Sequence, residues 1–436
     1  MRNDKENQIE GRLKTTMDPN LVTPVLEGRK AFIASRVIKR FRFTAAPPEM
    51  ETDFEFTWGD NPELTLTSQI KAKDCVYNEV PAETMEAALT LSLSKELSSL
   101  SVSSLKIQQR AGQKATVEFM QNFRSKSVYF NATSTMDPKA ILGMINTNAT
   151  HILKNISFSG PTVASADGIV HYGNPDRNNY TVRVADANVK FLDLQSSRCS
   201  FDVDVRGRTN SIERIRGEFY KGNLAGTIKL VQHSDPAKST YATLLTARDV
   251  DFTRMMNSVT RRRRSGYDGT FSGSLNITGL LSDENMSSMK GTAKVRIKDT
   301  QTYKMPILGD LSNTLVKIIP GLDFLHSRTD LIAPLEIGDR KIKTDNTLSE
   351  GNVLSLQAKG TYDFDQDIDF KVKIRLMKSH TVVGKGLNFI LLPVSQLLEF
   401  KLEGTADEPT WRPVYLPKEL TTLLSDDPDG TSSKTE

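Results

Sequence analysis

The chain has 436 residues, with 57 basic and 53 acidic side chains and a formal net charge of +4. A charge this close to balance creates no global field that would recruit nucleic acid. Hydrophobic residues make up only 38% of the chain and aromatic residues 7%, which argues against a single dense core. This composition favours sheets that each have one apolar face and one solvated face.

The sequence predicts neither a signal peptide at the amino terminus nor a membrane-spanning helix elsewhere. Residues 1–12 are charged and contain no apolar segment of the kind a signal peptide needs. The longest apolar stretch, 387–398, is interrupted by Pro393 and Ser395 and is shorter than the ~20 residues of a spanning helix. Taken literally, this indicates a cytoplasmic protein. The alternative is that the chain is the carboxyl-terminal portion of a longer polypeptide whose anchor lies upstream.

A weak internal repeat favours that alternative. The sequence Thr-Met-Asp-Pro occurs at 16–19 and again at 135–138. Because aspartate caps helices and proline fits the first helical position, each copy predicts a helix, over about 19–38 and about 138–153. A degenerate third copy begins near 251–252. The predicted units are 1–135 (truncated at its start), 136–250 and a carboxyl-terminal domain 251–417, followed by a disordered tail 418–436.

Between these helices, apolar and polar residues alternate with the period of a β-strand. The cleanest run is 368–376, whose other side carries Asp369, Lys371, Lys373 and Arg375. Turn residues separate the runs, as in a long antiparallel meander. The predicted fold is therefore mainly β, a long curved antiparallel β-sheet with groove-like repeats and a few short amphipathic helices. The apolar side of the alternation supplies the groove candidates Phe54, Phe56, Val128, Phe130, Val203, Val205, Leu224, Ile228, Leu275, Ile277, Val295, Ile297, Ile368, Phe370, Val372 and Ile374.

Two amphipathic segments interrupt the strands near the end of the chain. Their apolar residues recur at helical spacing, and Pro320-Gly321 ends the first segment. We expect them either to close the groove or to contact a membrane or a partner protein, and the spacing leaves both open. The residues concerned are Leu308, Leu311, Leu315 and Ile318 in the first segment, and Leu387, Ile390, Leu391, Val394 and Leu398 in the second.

Two charged runs have competing interpretations. Arg261, Arg262, Arg263 and Arg264 form either a solvated loop after a helix or a contact for phosphate headgroups, whose oxygens match guanidinium donors. The alternating aspartates 363–369 lack the glycine and terminal glutamate of a calcium loop, so they predict an acidic hairpin turn.

No catalytic motif is present in the sequence. The five histidines are scattered, and there is no nucleophile elbow, phosphate-binding loop or dinucleotide fingerprint. We therefore expect a non-enzymatic protein with no catalytic residue, no cofactor and no metal. Cys75 and Cys199 are the only cysteines and form no framework, so they are either bridged or free.

The region 267–417 resembles the carboxyl-terminal domain of the AsmA-like family, which also includes TamB-like and YhdP-like proteins. The residues that carry the resemblance are Gly269–Gly279, Gly291–Ile297, Met305–Ser312, Ile319–Gly321, Gly360–Phe364, the apolar segment Leu387–Leu398 and Leu402–Pro409. The resemblance implies a long curved sheet with a hydrophobic inner face. It also implies an inner-membrane anchor at the amino terminus, a periplasmic location and a role in phospholipid traffic to the outer membrane.

The predicted function is to shield phospholipid acyl chains in an apolar β-groove between the two membranes. Too few helices are predicted to cover so many strands, which favours lipid over a self-filled core. The expected partners are phospholipid, a membrane surface or outer-membrane protein, and an upstream chain carrying the anchor, with no nucleic acid. The first alternative is a structural or regulatory factor in outer-membrane protein assembly with a self-filled β core. The second is a β-solenoid glycosidase using two aspartates, which would need paired carboxylates across a cleft.

Overall fold

The structure is a computed structural model that contains two compact units, Met1–Gly217 (unit 1) and Glu218–Glu436 (unit 2). It describes residues 2–3, 7–28, 35, 38–96, 98–138, 140–141, 156–160, 162–259, 267–302, 305, 311, 315, 328–352, 354–376 and 397–416.

Unit 1 is an antiparallel sheet. Apart from two short strands, each strand pairs with the strand that follows it in the chain. The two short strands, β3 and β10, pair with the far ends of the long strands β5 and β12, which also pair with β4 and β11. The strands are β1 Arg2–Asn3, β2 Gln8–Thr15, β3 Phe41–Phe43, β4 Glu49–Thr57, β5 Glu63–Tyr77, β6 Val80–Leu93, β7 Ser98–Gln108, β8 Lys114–Asn122, β9 Ser127–Ser134, β10 Ile156–Ser159, β11 Val163–His171, β12 Asn179–Phe191 and β13 Leu194–Arg206. Strand β14, Thr209–Phe219, contains the boundary between the units.

Unit 2 is likewise an antiparallel sheet, and from β15 onward each strand pairs with the next. Its strands are β15 Gly222–Val231, β16 Thr240–Asp251, β17 Thr270–Leu280, β18 Lys290–Thr300, β19 Thr329–Gly338, β20 Lys341–Gly351, β21 Leu354–Asp363, β22 Asp367–Leu376, β23 Leu397–Thr405 and β24 Pro409–Tyr415. The prediction of a mainly β, antiparallel chain with few short helices is confirmed.

The first Asp-Pro signal starts a helix where it predicts one, and most of the second predicted helix, 138–153, lies outside the described residues. Asp18 caps a 3-10 helix, Pro19–Val22, by accepting a hydrogen bond from the Asn20 amide at 2.9 Å, and α1 (Thr23–Gly28) follows. The third copy of the repeat forms α2 (Phe252–Val259), capped by Asp251. Two further 3-10 helices, Pro175–Arg177 and Pro236–Lys238, also begin with proline.

Bulges interrupt the alternation of several strands. Asp186, Asp249 and Asp299 have positive φ angles of 55°, 54° and 55°, and each lies at a register shift between neighbouring strands. A short polar side chain tolerates this left-handed conformation better than a branched one. Each bulge is followed by a residue with no exposed surface, namely Ala187, Val250 and Thr300. The bulges therefore turn the next side chain into a covered part of the sheet.

Candidate functional site

In unit 1, the strand pairing brings all the predicted groove residues onto one side of the sheet, which we call the apolar face. Residues directly opposite each other in antiparallel strands project to the same side. Phe54 lies opposite Leu66, and the same row continues through β6, β7 and β8 to Val128. The next row joins Phe130 to Val205 through Gly168 and Tyr180. The candidates concerned are Phe54, Phe56, Val128, Phe130, Val203 and Val205.

In unit 2, the apolar face of β15–β19 is a grid of apolar rows that cross the strands. The first row is Leu224, Ala247, Gly273, Val295 and Ala333. The second is Gly226, Leu245, Leu275, Ala293 and Leu335. The third is Ile228, Thr243, Ile277, Gly291 and Ile337. These rows contain no charged residue, and they include five of the predicted groove residues.

On the apolar faces of both units, aromatic rings from neighbouring strands pack over glycines. A methyl group at Gly279 would lie 2.7–2.8 Å from atoms of the Tyr241 side chain on the paired strand. The rings of Phe130 and Tyr180, with centroids 5.9 Å apart, meet across Gly168, whose φ is +143° and leaves no room for a side chain. Since the large side chains occupy the space above glycines, the apolar face is lined without a second layer of bulky groups.

Two tyrosines of the apolar face, Tyr180 and Tyr241, have raised pKa values. Burial raises the pKa of Tyr180 above its ordinary value. Burial also raises the pKa of Tyr241, with a smaller contribution from the nearby carboxylate of Asp283. Both shifts have the same sign because a desolvated phenol resists ionisation. The phenol groups of both tyrosines are therefore partly desolvated.

Coverage of the apolar face varies along unit 2. Across β15–β18 the candidate side chains Leu224, Ile228, Leu275, Ile277 and Val295 are partly buried. The last candidate of these strands, Ile297, is 5% exposed because α2 packs there. Phe252 of α2 contacts the ring of Tyr267 edge-on at 5.8 Å and stacks on Phe271. Helix α2 therefore closes one end of the face and leaves the rest without a helix among the described residues.

Across β21–β23 the apolar face is a closed core, which corrects part of the prediction. Ile368, Val372 and Ile374 are at most 4% exposed, and only Phe370 of that strand's candidates is partly buried. Their neighbours in the cluster are Leu311, Leu315, Leu354, Leu356, Leu398, Phe400 and Leu402. This part of the face is filled by the chain's own side chains and is not free to line a lipid groove.

Three residues predicted either to close the groove or to contact a membrane or a partner lie in the same core. Leu311, Leu315 and Leu398 have no exposed surface, and their side chains cover the sheet, as the first alternative expects. Leu398 belongs to strand β23 and not to a helical segment, because Leu398, Phe400 and Leu402 alternate with period two. The other residues of that prediction, Leu308, Ile318, Leu387, Ile390, Leu391 and Val394, lie outside the described residues.

Next to the turn between β4 and β5, side chains on the apolar face of unit 1 are exposed to solvent. Ile9, Phe56 and Leu93 belong to one cross-strand row and are 41%, 38% and 38% exposed. The ring of Phe56 is 6.2 Å from that of Trp58 at the adjoining turn. Three exposed apolar side chains in one row form a continuous apolar patch, unlike single exposed residues, which are ordinary.

The opposite side of each sheet, the polar face, carries the charges. In unit 1, Arg12 pairs with Asp53 at 2.6 Å and Lys14 with Glu51 at 3.1 Å. In unit 2, Lys401 pairs with Glu403 at 3.0 Å. Such exposed pairs contribute little to stability, and they mark this face as the solvated one.

The remaining predicted features lie in turns, in buried positions or outside the described residues. The four arginines 261–264 lie outside the described residues. The aspartates 363–369 lie at the hairpin turn between β21 and β22, which confirms the predicted acidic turn, and Asp365 pairs with Arg340 at 2.6 Å. Among the described residues, no group of three or more histidine, cysteine, aspartate or glutamate side chains is placed to hold a metal ion. Cys75 and Cys199 are free and buried, and burial raises the pKa of both thiols.

The family models and the curated proteins include no match to this chain. Within the described part of the chain, no helix has the length and apolar content that crossing a membrane requires. The resemblance to the AsmA-like family rests on the sequence segments quoted above.

Proposed function

We propose that this chain is a non-enzymatic lipid-binding protein that holds acyl chains against the apolar face of β15–β19. The observation that carries the proposal is the uncharged grid of apolar rows on these five strands, which α2 covers at one end only. An apolar face of this extent without a covering layer among the described residues is typical of a surface with an apolar ligand. The resemblance to the AsmA-like family points to the same class of ligand.

The free energy of burying an acyl chain against one side of the sheet is consistent with reversible binding. Burying one methylene group gains ~0.8 kcal/mol, so a 16-carbon acyl chain costs roughly 12 kcal/mol to expose fully. A sheet that contacts the chain from one side recovers about half of that free energy, roughly 6 kcal/mol. Such a gain corresponds to an affinity between micromolar and millimolar. The acyl chain is thereby shielded and still able to leave.

The wider proposal follows the family resemblance. The protein shields phospholipid between the inner and outer membranes of a cell envelope, tethered through an upstream chain that carries an anchor. A second candidate is a structural or regulatory factor in outer-membrane protein assembly. The closed core of β21–β23 favours it, because there the apolar face is filled by the chain itself.

Adjacent leucines of β16 provide a matched test. Leu245 lies in the apolar grid opposite Leu275, whereas Leu244 lies on the polar face opposite Asn276 and is 49% exposed. We expect purified wild-type protein, expressed in a periplasm with a supplied signal sequence, to carry stoichiometric phospholipid detectable by mass spectrometry. Leu245→Lys should lose it because a cation on the apolar face is incompatible with acyl contact, and Leu244→Lys should retain it.

The two candidate functions give different results in that experiment. A folded wild-type protein with no lipid above the level of a control protein would refute lipid binding and favour the self-filled core. Equal lipid loss in both leucine variants would also count against the apolar face as the binding surface. Circular dichroism and thermal unfolding of each variant separate lost lipid from lost fold.

A further inference from the structure

Strand β18 carries an unusual row of cations on its polar face. We call this row the basic stripe, and it consists of Lys290, Lys294, Arg296 and Lys298, all of them exposed. Because polar-face residues alternate at about 3.4 Å per residue, the stripe extends over roughly 27 Å along the strand.

No residue directly opposite a cation of the stripe is charged, while the carboxylates Asp330 and Glu336 lie diagonally from the stripe on β19. Lys290 lies opposite Thr278, Lys294 opposite Ser274 and Pro334, and Lys298 opposite Thr270. Arg296 lies opposite Ser272 and Ile332 and forms an ion pair with Asp330 at 3.9 Å.

At least one polar-face lysine of unit 1 has carboxylates directly opposite it on both neighbouring strands. Lys71 of unit 1 lies between Glu49 and Glu86 on its two neighbouring strands. The polar face of β15–β19 also includes the cations Lys229 and Arg248, against the carboxylates Asp251, Asp330 and Glu336. Since the whole chain has a net charge of only +4, this face concentrates positive charge that is balanced elsewhere.

We propose that the basic stripe docks unit 2 on the surface of an anionic phospholipid bilayer. Three of its four cations are lysines, whose compact charges suit a diffuse anionic surface better than bidentate recognition of one group. Leu244 on the same face, 49% exposed, adds an apolar side chain that can enter the headgroup region. The two aromatic residues of β16 and β17, Tyr241 and Phe271, lie on the apolar face, so the stripe lacks the stacking platform of nucleic-acid-binding proteins.

A second copy of the chain is the competing occupant. The polar face of β4 carries the carboxylates Glu49, Glu51, Asp53 and Glu55. Most of these already have cations of their own chain nearby, since Arg12 and Lys14 pair with Asp53 and Glu51, and Lys71 lies opposite Glu49. The acidic row is thus largely neutralised within unit 1, whereas a bilayer offers unpaired anionic groups.

The test is co-sedimentation of the full chain with vesicles of equimolar phosphatidylcholine and phosphatidylglycerol, compared with vesicles of phosphatidylcholine alone. Wild type should bind the anionic vesicles only. The variant Lys290→Glu/Lys294→Glu/Lys298→Glu should bind at least about a hundredfold more weakly, because each removed lysine contributes about 1 kcal/mol, or about fivefold. Changing Lys73, Lys95 and Lys114, three exposed lysines of unit 1, to glutamate alters the net charge equally and should change binding less than about threefold.

Several outcomes would overturn the inference. These are absence of wild-type binding to anionic vesicles, equal binding to neutral vesicles, and an equal loss in the unit 1 control variant. A salt-sensitive dimer in sedimentation velocity that the stripe variant loses, without vesicle binding, would assign the stripe to a second copy. The inference stands apart from the proposed function, because Leu245→Lys removes bound lipid and leaves the stripe intact.

Discussion

Two isoleucines on the apolar face of unit 2 allow the open and closed parts of that face to be compared. Ile374 of β22 has no exposed surface and lies between Leu356 and Leu398. Ile277 of β17 is partly buried and lies between Thr243 and Gly291. Replacing either residue by alanine removes the same three carbon atoms, so any difference reports how each site is covered.

The expected losses differ because only one site leaves a cavity. Removing three buried carbons costs about 2.4 kcal/mol in transfer free energy, and an enclosed cavity raises the cost of Ile374→Ala to about 4 kcal/mol. Water reaches Ile277 on its open side, so Ile277→Ala should lower the free energy of unfolding by only about 1.5 kcal/mol.

The assay is urea unfolding followed by the fluorescence of Trp411, whose ring is 6.1 Å from that of Phe400 in the closed core. A Trp58→Phe background makes Trp411 the sole tryptophan of the chain. Losses that agree within about 0.5 kcal/mol would refute the distinction between an open and a closed part of the apolar face. A larger loss at Ile277 would mean that a layer of side chains covers β17.

Three further predictions address single features. Gly279→Ala should destabilise unit 2 by about 1–3 kcal/mol in urea unfolding because its methyl group would displace the Tyr241 ring, whereas Gly338→Ala, with open space around it, should cost less than about 1 kcal/mol. Hydrogen bonds from the following turn lower the pKa of Asp283 from 3.8 to about 2, so their stabilisation is present above pH 3.8 and is lost as the pH falls through 2. Titration by NMR should show this, and a midpoint near 3.8 would contradict it. The thiol of Cys75, 1% exposed and with a raised pKa, should react with a thiol reagent at pH 8 only after unfolding, and rapid reaction of the native protein would contradict its burial.

The alternation of residues along a strand predicts which side chains lie on the apolar face most reliably where the intervening residues are charged. In β22 the residues Asp369, Lys371 and Lys373 define the solvated face, so the phase of Ile368 and Phe370 follows directly. In β16 the adjacent residues Leu244 and Leu245 are chemically identical. Their opposite orientations depend on the register with β15 and β17, which is a property of the paired strands.

The sequence pattern of a single strand does not predict whether other side chains cover its apolar face. Ile277 and Ile374 have the same alternating context, and what separates them is a contact with Leu311 and Leu315, more than fifty positions before Ile374 in the chain. The misassignment of Leu398 has a local cause. Apolar residues at 387, 390, 391, 394 and 398 fit helical spacing, while residues 398, 400 and 402 fit a strand, and the pairing with β22 decides for the strand.

The order of strands along the chain matches their order across unit 2 from β15 to β24, and a sheet built in this way can change in length. Each strand interacts mainly with the one before and the one after it, so a hairpin can be inserted or deleted without rerouting the others. Stability then increases with each added neighbour pair, in the manner of a linear array. The apolar face can lengthen in steps of about 10 Å per hairpin, which would let related chains span different distances with one construction rule.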